Sequence, residues 1–259
     1  MRHICEQISY NELLNSSTEF NDMGAIYLNL GQDPFQRGSV IHTNLFHHIG
    51  GARPMIHGVH ADGGSMGLTV ATNVFYKVNC GETCNAISSN GGSYINITNN
   101  VFVDCGAPFK QSDAMMNSSL YEPWYEQLRS QWTAAFVHAN ASGMLPRFLT
   151  RYPELANFWT EDRRSPKTNS FSNNLEYNPS VARGSTSDYM SRNFSTRGFA
   201  CEGCTMSDIA SGHVWLARSN PGFASVARMN FSLPAARVWA HIPGWREIDF
   251  AAIGLRGGL

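Results

Sequence analysis

Four stretches of this chain can be written over one another. Ile8-Ser9-Tyr10-Asn11-Glu12-Leu13 aligns with Ile41-His42-Thr43-Asn44-Leu45-Phe46, with Val70-Ala71-Thr72-Asn73-Val74-Phe75 and with Ile97-Thr98-Asn99-Asn100-Val101-Phe102. The aligned asparagines step by 33, 29 and 27 residues. A fifth copy, Phe171-Ser172-Asn173-Asn174-Leu175-Glu176-Tyr177, follows only 74 residues later, so other structure is inserted before it. Within each copy apolar and polar side chains alternate up to the Asn, which is the period-2 signature of a strand with one buried face. A second strand-like series runs in phase: Ala25-Ile26-Tyr27-Leu28, Gly58-Val59-His60-Ala61 and Ala86-Ile87-Ser88-Ser89. Two strands per unit at a period of about 30 residues predict a parallel β-helix, in which each coil buries its apolar face only by stacking on the next. An Asn at each corner satisfies backbone groups, bonds to the Asn above and below, and tolerates left-handed dihedrals, so these asparagines read as a structural ladder.

Between Leu120 and Asn157 the period changes. Trp124, Leu128, Trp132, Phe136 and Val137 follow helical spacing, with Pro123 in the first turn and Gly143 and Pro146 ending the helix. A second short helical stretch is predicted around Pro153-Glu154-Leu155-Ala156-Asn157-Phe158-Trp159. From Arg183 to Ser211 the composition turns to Ser, Thr, Gly and Arg, which reads as loop. The expected organisation is one continuous all-β domain: coils over 1–119, a helical insertion packed outside them over 120–165, and a last coil, loop and C-terminal cap over 166–259.

A net charge of −1 gives no electrostatic footprint for nucleic acid or an anionic membrane, and no apolar run is long enough to span a bilayer. Met1-Arg2-His3-Ile4-Cys5-Glu6 has no apolar stretch behind it to act as a signal peptide. Asn-x-Ser/Thr sequons at Asn15, Asn96, Asn117, Asn140, Asn193 and Asn230 nevertheless point outward, to an extracellular glycoprotein. Cys5, Cys80, Cys84, Cys105, Cys201 and Cys204 are an even set compatible with an oxidising compartment. Cys201-Glu202-Gly203-Cys204 has C-x-x-C spacing, but no second pair of matching spacing stands near it, so a local disulfide or buried thiols is preferred to zinc.

The motifs together resemble right-handed parallel β-helix proteins of the pectin-lyase-like superfamily, especially the C-terminal half of large secreted glycan-active members. The likeness rests on Gly24-Ala25-Ile26-Tyr27, on Arg37-Gly38-Ser39-Val40-Ile41 through Phe46-His47-His48-Ile49-Gly50, and on Asn73-Val74-Phe75-Tyr76-Lys77-Val78. It continues through Asn90-Gly91-Gly92, Asn99-Asn100-Val101-Phe102-Val103-Asp104-Cys105, Arg151-Tyr152-Pro153-Glu154-Leu155, Asn220-Pro221-Gly222-Phe223, Asn230-Phe231-Ser232-Leu233 and Ile242-Pro243. The resemblance implies the fold and a polysaccharide or oligosaccharide partner; lyases, hydrolases, epimerases and adhesins all share the architecture. Where the family usually has Tyr-Leu-Asp-Asp, this chain has His60-Ala61-Asp62-Gly63, and Gln111 stands at the next acidic position. One carboxylate of the family's usual pair is therefore missing.

Alternation places Tyr27, His60, Ser88 and Phe109 in one outward column and Asn29, Asp62, Asn90 and Gln111 in another. Hydrolysis needs two carboxylates about 5 to 10 Å apart. Asp62 is the best acid, with Asp104 or Asp33 as its partner, although Asp104 at a coil corner also suits bonding to the turn backbone. Elimination from a uronic acid needs a base, His60 or Lys110, and a neutraliser of the sugar carboxylate, Arg37 or a Ca²⁺ ion. Tyr27, Arg37, His57, Asn90 and Lys110 are the expected substrate-binding residues, with His47 and His48 as lesser histidines. No resident cofactor is expected, Ca²⁺ being the one ion the lyase reading admits. The alternatives are a glycan-active enzyme, hydrolase before lyase, and a non-catalytic glycan-binding or structural β-helix.

Overall fold

The computed structural model describes residues 6–29, 37–51, 55–78, 85–105, 108–112, 122–158, 160, 166, 168–177, 214–217 and 219–254. Strands fall into three parallel sheets, each stacked in chain order. Sheet A holds β1 (Gln7–Ser9), β4 (Val40–His42), β7 (Thr69–Ala71), β10 (Asn96–Thr98) and β13 (Ser170–Ser172). Sheet B holds β2 (Glu12–Leu14), β5 (Leu45–Ile49), β8 (Val74–Val78), β11 (Val101–Val103), β14 (Asn174–Tyr177) and β15 (Val214–Leu216). Sheet C holds β3 (Met23–Asn29), β6 (Ile56–Asp62), β9 (Asn85–Asn90) and β12 (Phe109–Ser112). The chain visits A, B and C in turn four times, an all-β arrangement consistent with a parallel solenoid.

Three strands per coil replace the expected two, because the Asn corner breaks the first predicted strand into one of sheet A and one of sheet B. The left-handed residue is not the Asn but the one before it: Thr43, Thr72, Asn99 and Asn173 have φ of 53°, 54°, 57° and 54°. That turn frees each Asn side chain to point along the stack. Asn44, Asn73 and Asn100 donate from backbone N–H to the Oδ1 of Asn73, Asn100 and Asn174 over 2.9–3.0 Å. Their Nδ2 groups donate back to the carbonyls of Ile8, Ile41 and Val70, so the buried amides are satisfied on both sides. A second left-handed column, Asn15, His48, Lys77 and Asp104, bends the chain at the far end of sheet B.

Inside the coils Phe46, Phe75 and Phe102 stack at centroid distances of 4.6 and 5.1 Å, with Val59, Ile87 and Phe109 in the same core. Much of the outer face of sheet B is apolar, although Glu12 and His47 meet there in the first coils. Leu45, Val74, Val101 and Leu175 pack there against Phe223, Phe231, Leu233, Val238, Ile242 and Trp245 from the C-terminal segment, which includes α3 (Ala235–Trp239). That segment runs back to the first coil, where Gly254 N–H donates to Tyr10 C=O at 3.0 Å.

Between β12 and β13 lie α1 (Glu122–Ala141), α2 (Leu145–Arg151) and a 3₁₀ turn (Pro153–Leu155). The first helix is longer than its sequence pattern, and its buried stripe is Tyr125, Leu128, Trp132 and Ala139, whereas Val137 faces solvent. Gly143, at φ 70°, follows α1 as expected, but Pro146 sits in the first turn of α2, where its missing N–H costs nothing. Met66 and Tyr94 share the apolar cluster of these helices. Of the cysteines, Cys105 is buried, its thiol directed at Phe75 and Val103 C=O; the other five, with the C-x-x-C pair and the loop expected over 183–211, lie outside the described residues.

Candidate functional site

Sheet C differs from sheet B in what it turns outward. The register pairs Tyr27 with His60, His60 with Ser88 and Ser88 with Lys110. Lys110 therefore occupies the rung expected for Phe109, which pairs with Ile87 inside the core. A second outer row begins with Asn29 and Asp62, and Ser112 pairs with Asn90 where Gln111 was expected. Gln111 points inward, where its Oε1 accepts from Asn169 Nδ2 at 2.9 Å. The one-residue slip turns both side chains to the opposite face.

His57 and His60 are three residues apart, which on a regular strand puts them on opposite faces. Their ring centroids are nevertheless 4.7 Å apart. The pairing passes from Gly24–His57 to Ile26–Val59 and from His57–Asn85 to Val59–Ile87, skipping Gly58. A Cβ on Gly58 would stand 2.7 Å from Ala86 C=O and 3.0 Å from the Phe75 ring, so this irregularity needs glycine.

Asp62 is the best-connected group of the face. Tyr27 Oη donates to its Oδ2 and Asn90 Nδ2 to its Oδ1 at 3.0 Å. Burial alone would push the carboxyl up, but donation from Tyr27 and from Gly63 N–H, the neighbouring His60 and Asn90 together hold it below the usual carboxylate range. Asp62 is thus an ionised acceptor. Tyr27 keeps its proton well above the ordinary phenol range, through burial and then its bond to Asp62. Burial, then the repulsion a protonated His60 would exert and the charge of Lys110, push His57 down to about 3. Asn85 N–H donates to its Nδ1 at 3.2 Å. His60 is also lowered by burial, against the pull of Asp62 and Asp22, so its 3.9 Å approach to Asp22 is not a charged pair. Both rings are neutral imidazoles.

Tyr27, His57, His60, Asp62, Asn90 and Lys110 belong to one sheet, as expected from the sequence. Arg37 does not join them. Its guanidinium lies 4.5 Å from the Tyr94 and Tyr152 ring centroids and 2.8 Å from Glu154, clamping the helical segment to the coils. Asp104 follows β11 in sheet B with φ 49°, in the column of His48 and Lys77, rather than beside Asp62. Asp33 lies outside the described residues. Asp22, just before β3 and 56 % exposed, was missed by the sequence reading because it sits in a turn outside the repeat.

Among the described residues, this face shows no fit to Ca²⁺, which takes about six to eight oxygen ligands. Both oxygens of Asp62 are engaged by Tyr27 and Asn90, and Asp22 is flanked by imidazoles. The arrangement can accept hydroxyl donors, stack an apolar ring face on Tyr27 and take a proton on a neutral imidazole. Comparison with known proteins finds no match, whether to a family model, a curated sequence or a solved structure.

Proposed function

We propose that this chain is a right-handed parallel β-helix protein of the pectin-lyase-like type, with its helices inserted outside the coils, and that it holds an extended polysaccharide along the outer face of sheet C. Right-handedness follows the general rule for crossovers between parallel strands of one sheet. The observation that carries the reading is where unpartnered buried polar atoms lie. His60 Nδ1, Asn85 Nδ2 and Asn90 Oδ1 have no hydrogen-bond partner, and all three residues belong to β6 and β9. Buried polar atoms are as a rule paired, and although Ser16 Oγ, Ser89 Oγ and Gln111 Nε2 also lack partners, three orphans on two neighbouring strands make a place for a ligand's hydroxyls. Parallel rungs about 4.8 Å apart set Tyr27, His60, Ser88 and Lys110 in one row along the stack, which suits an extended polymer. The sequons at Asn15, Asn96, Asn140 and Asn230 are exposed, which supports an extracellular setting.

Binding without hydrolysis is the reading favoured here, because Asp62 is ionised and Asp104 belongs to another sheet. A second reading, elimination with His60 as base, is favoured by the neutral ring beside Asp62 and Lys110. Incubation with plant, algal and animal polysaccharides separates the two. Retention on an immobilised glycan with no new reducing ends and no unsaturated-uronate absorbance supports binding; turnover supports the enzyme; neither refutes the glycan reading.

A further inference from the structure

The side-chain donor atoms of Asp22, His57 and His60 all lie within 4.8 Å of one another. His60 is 2 % exposed, and its unpartnered Nδ1 faces Asp22 Oδ1 at 3.9 Å, beyond hydrogen-bond reach. We propose that Asp22, His57 and His60 form a binding site for a divalent transition metal of the zinc class. Two imidazoles and one carboxylate are the donor set such an ion takes, leaving a fourth position for water.

Bonds of about 2.0–2.1 Å in a tetrahedron place donors about 3.3 Å apart, so the His60–Asp22 pair, at 3.9 Å, must close by about 0.6 Å and no pair by more than about 1.5 Å. Asp22, exposed at the turn before β3, is free to supply that movement. Gly24 leaves room beside it, since a Cβ there would stand 2.9 Å from His60 Cβ. His57 must rearrange most. The bond it accepts from Asn85 N–H places its ring proton on Nε2, so ligation through Nε2 requires the proton to move to Nδ1 and the ring to turn from Asn85. His57 is accordingly the weakest of the three ligands.

The other histidine pair shows why this cluster is chosen. His47 Nε2 contacts Glu12 Oε1 at 2.9 Å while its Nδ1 contacts His48 Nδ1 at 2.8 Å, so its two nitrogens serve different partners and do not converge.

The test uses the full chain, stripped with chelator and titrated with Zn²⁺ alone by calorimetry, with Co²⁺ visible absorption as a second readout. No glycan is present, so the outcome is independent of the proposed function. The expected result is one saturable ion per chain, affinity reduced at least tenfold by Asp22→Asn, and binding unchanged by His47→Ala. Asn tolerates the φ of 54° at position 22, so that variant keeps the turn. His60→Ala should abolish binding; if it does not fold, Asp22→Asn decides. Parental affinity in Asp22→Asn, or no saturable uptake by the parent, overturns the site.

Discussion

The outer faces of sheets B and C are built on the same coils, yet they have opposite fates. Outward positions of sheet B are Leu45, Val74, Val101 and Leu175, and the C-terminal segment covers them with aromatic and aliphatic side chains. Outward positions of sheet C are Tyr27, His60, Ser88 and Lys110, flanked by Asp62 and Asn90, and His60 Nδ1 and Asn90 Oδ1 there lack hydrogen-bond partners. A solenoid supplies repeated surfaces at little cost; side-chain chemistry decides which is sealed by apolar packing and which carries polar groups. The difference also explains why orphan polar atoms are informative on C, where His60 and Asn85 are buried without hydrogen-bond partners for those atoms.

The largest effect should come from unsealing sheet B. Phe231 is 3 % exposed and touches Tyr76, Phe223 and Phe250. Phe231→Ala should cost about 3–5 kcal/mol, lowering the melting temperature by roughly 6–20 °C. A shift of only a degree or two would mean that the covering segment contributes little and that the contrast is false.

Next is the irregularity that turns both His57 and His60 outward. Gly58→Ala should cost about 1–3 kcal/mol by forcing Ala86 and Phe75 apart. It should also disturb the histidine rings, read as loss of glycan retention beyond the loss of folded protein. Asp62→Asn should behave in the reverse way, costing about 1 kcal/mol or less while abolishing retention, because Asn preserves shape but not charge. Unimpaired retention would remove Asp62 from the site.

The smallest effect tests the interior both faces share. Burial pushes the Cys105 thiol up to about 12, and its Sγ approaches Phe75 and Val103 C=O. With the native pKa above the unfolded one, the native state keeps the proton longer, so this group leaves stability unchanged below about pH 8 and lowers it as pH rises further. Peptide-resolved alkylation at pH 8 should leave Cys105 unmodified until the chain unfolds; rapid labelling in the native protein would show a loose core.

Much of this fold could be read in the sequence, because alternation and the recurring Asn report burial directly. What escaped was backbone conformation. Nothing in Thr43 or Thr72 announces a positive φ, since β-branched residues seldom adopt one, and so two strands were read as one. The site was half legible: Tyr27, His60, Asp62 and Asn90 follow from the repeat, whereas Lys110 required the register of β12, which one residue reverses. Arg37 looked available because Glu154, its partner, lies 117 positions away by number and belongs to no repeat.

Each rung of the asparagine ladder joins neighbouring coils without reference to the chain between them. Separations of 27 and 74 residues give the same geometry, Asn73 to Asn100 and Asn100 to Asn174 both closing at 2.9 Å. Polymer theory puts the added closure entropy of the longer excursion at about 0.9 kcal/mol, comparable to one net hydrogen bond. The corners therefore act as staples that make excursion length nearly neutral. New segments can be grafted between coils, and the surfaces they decorate can diversify, while the register of the stack stays where the amides put it.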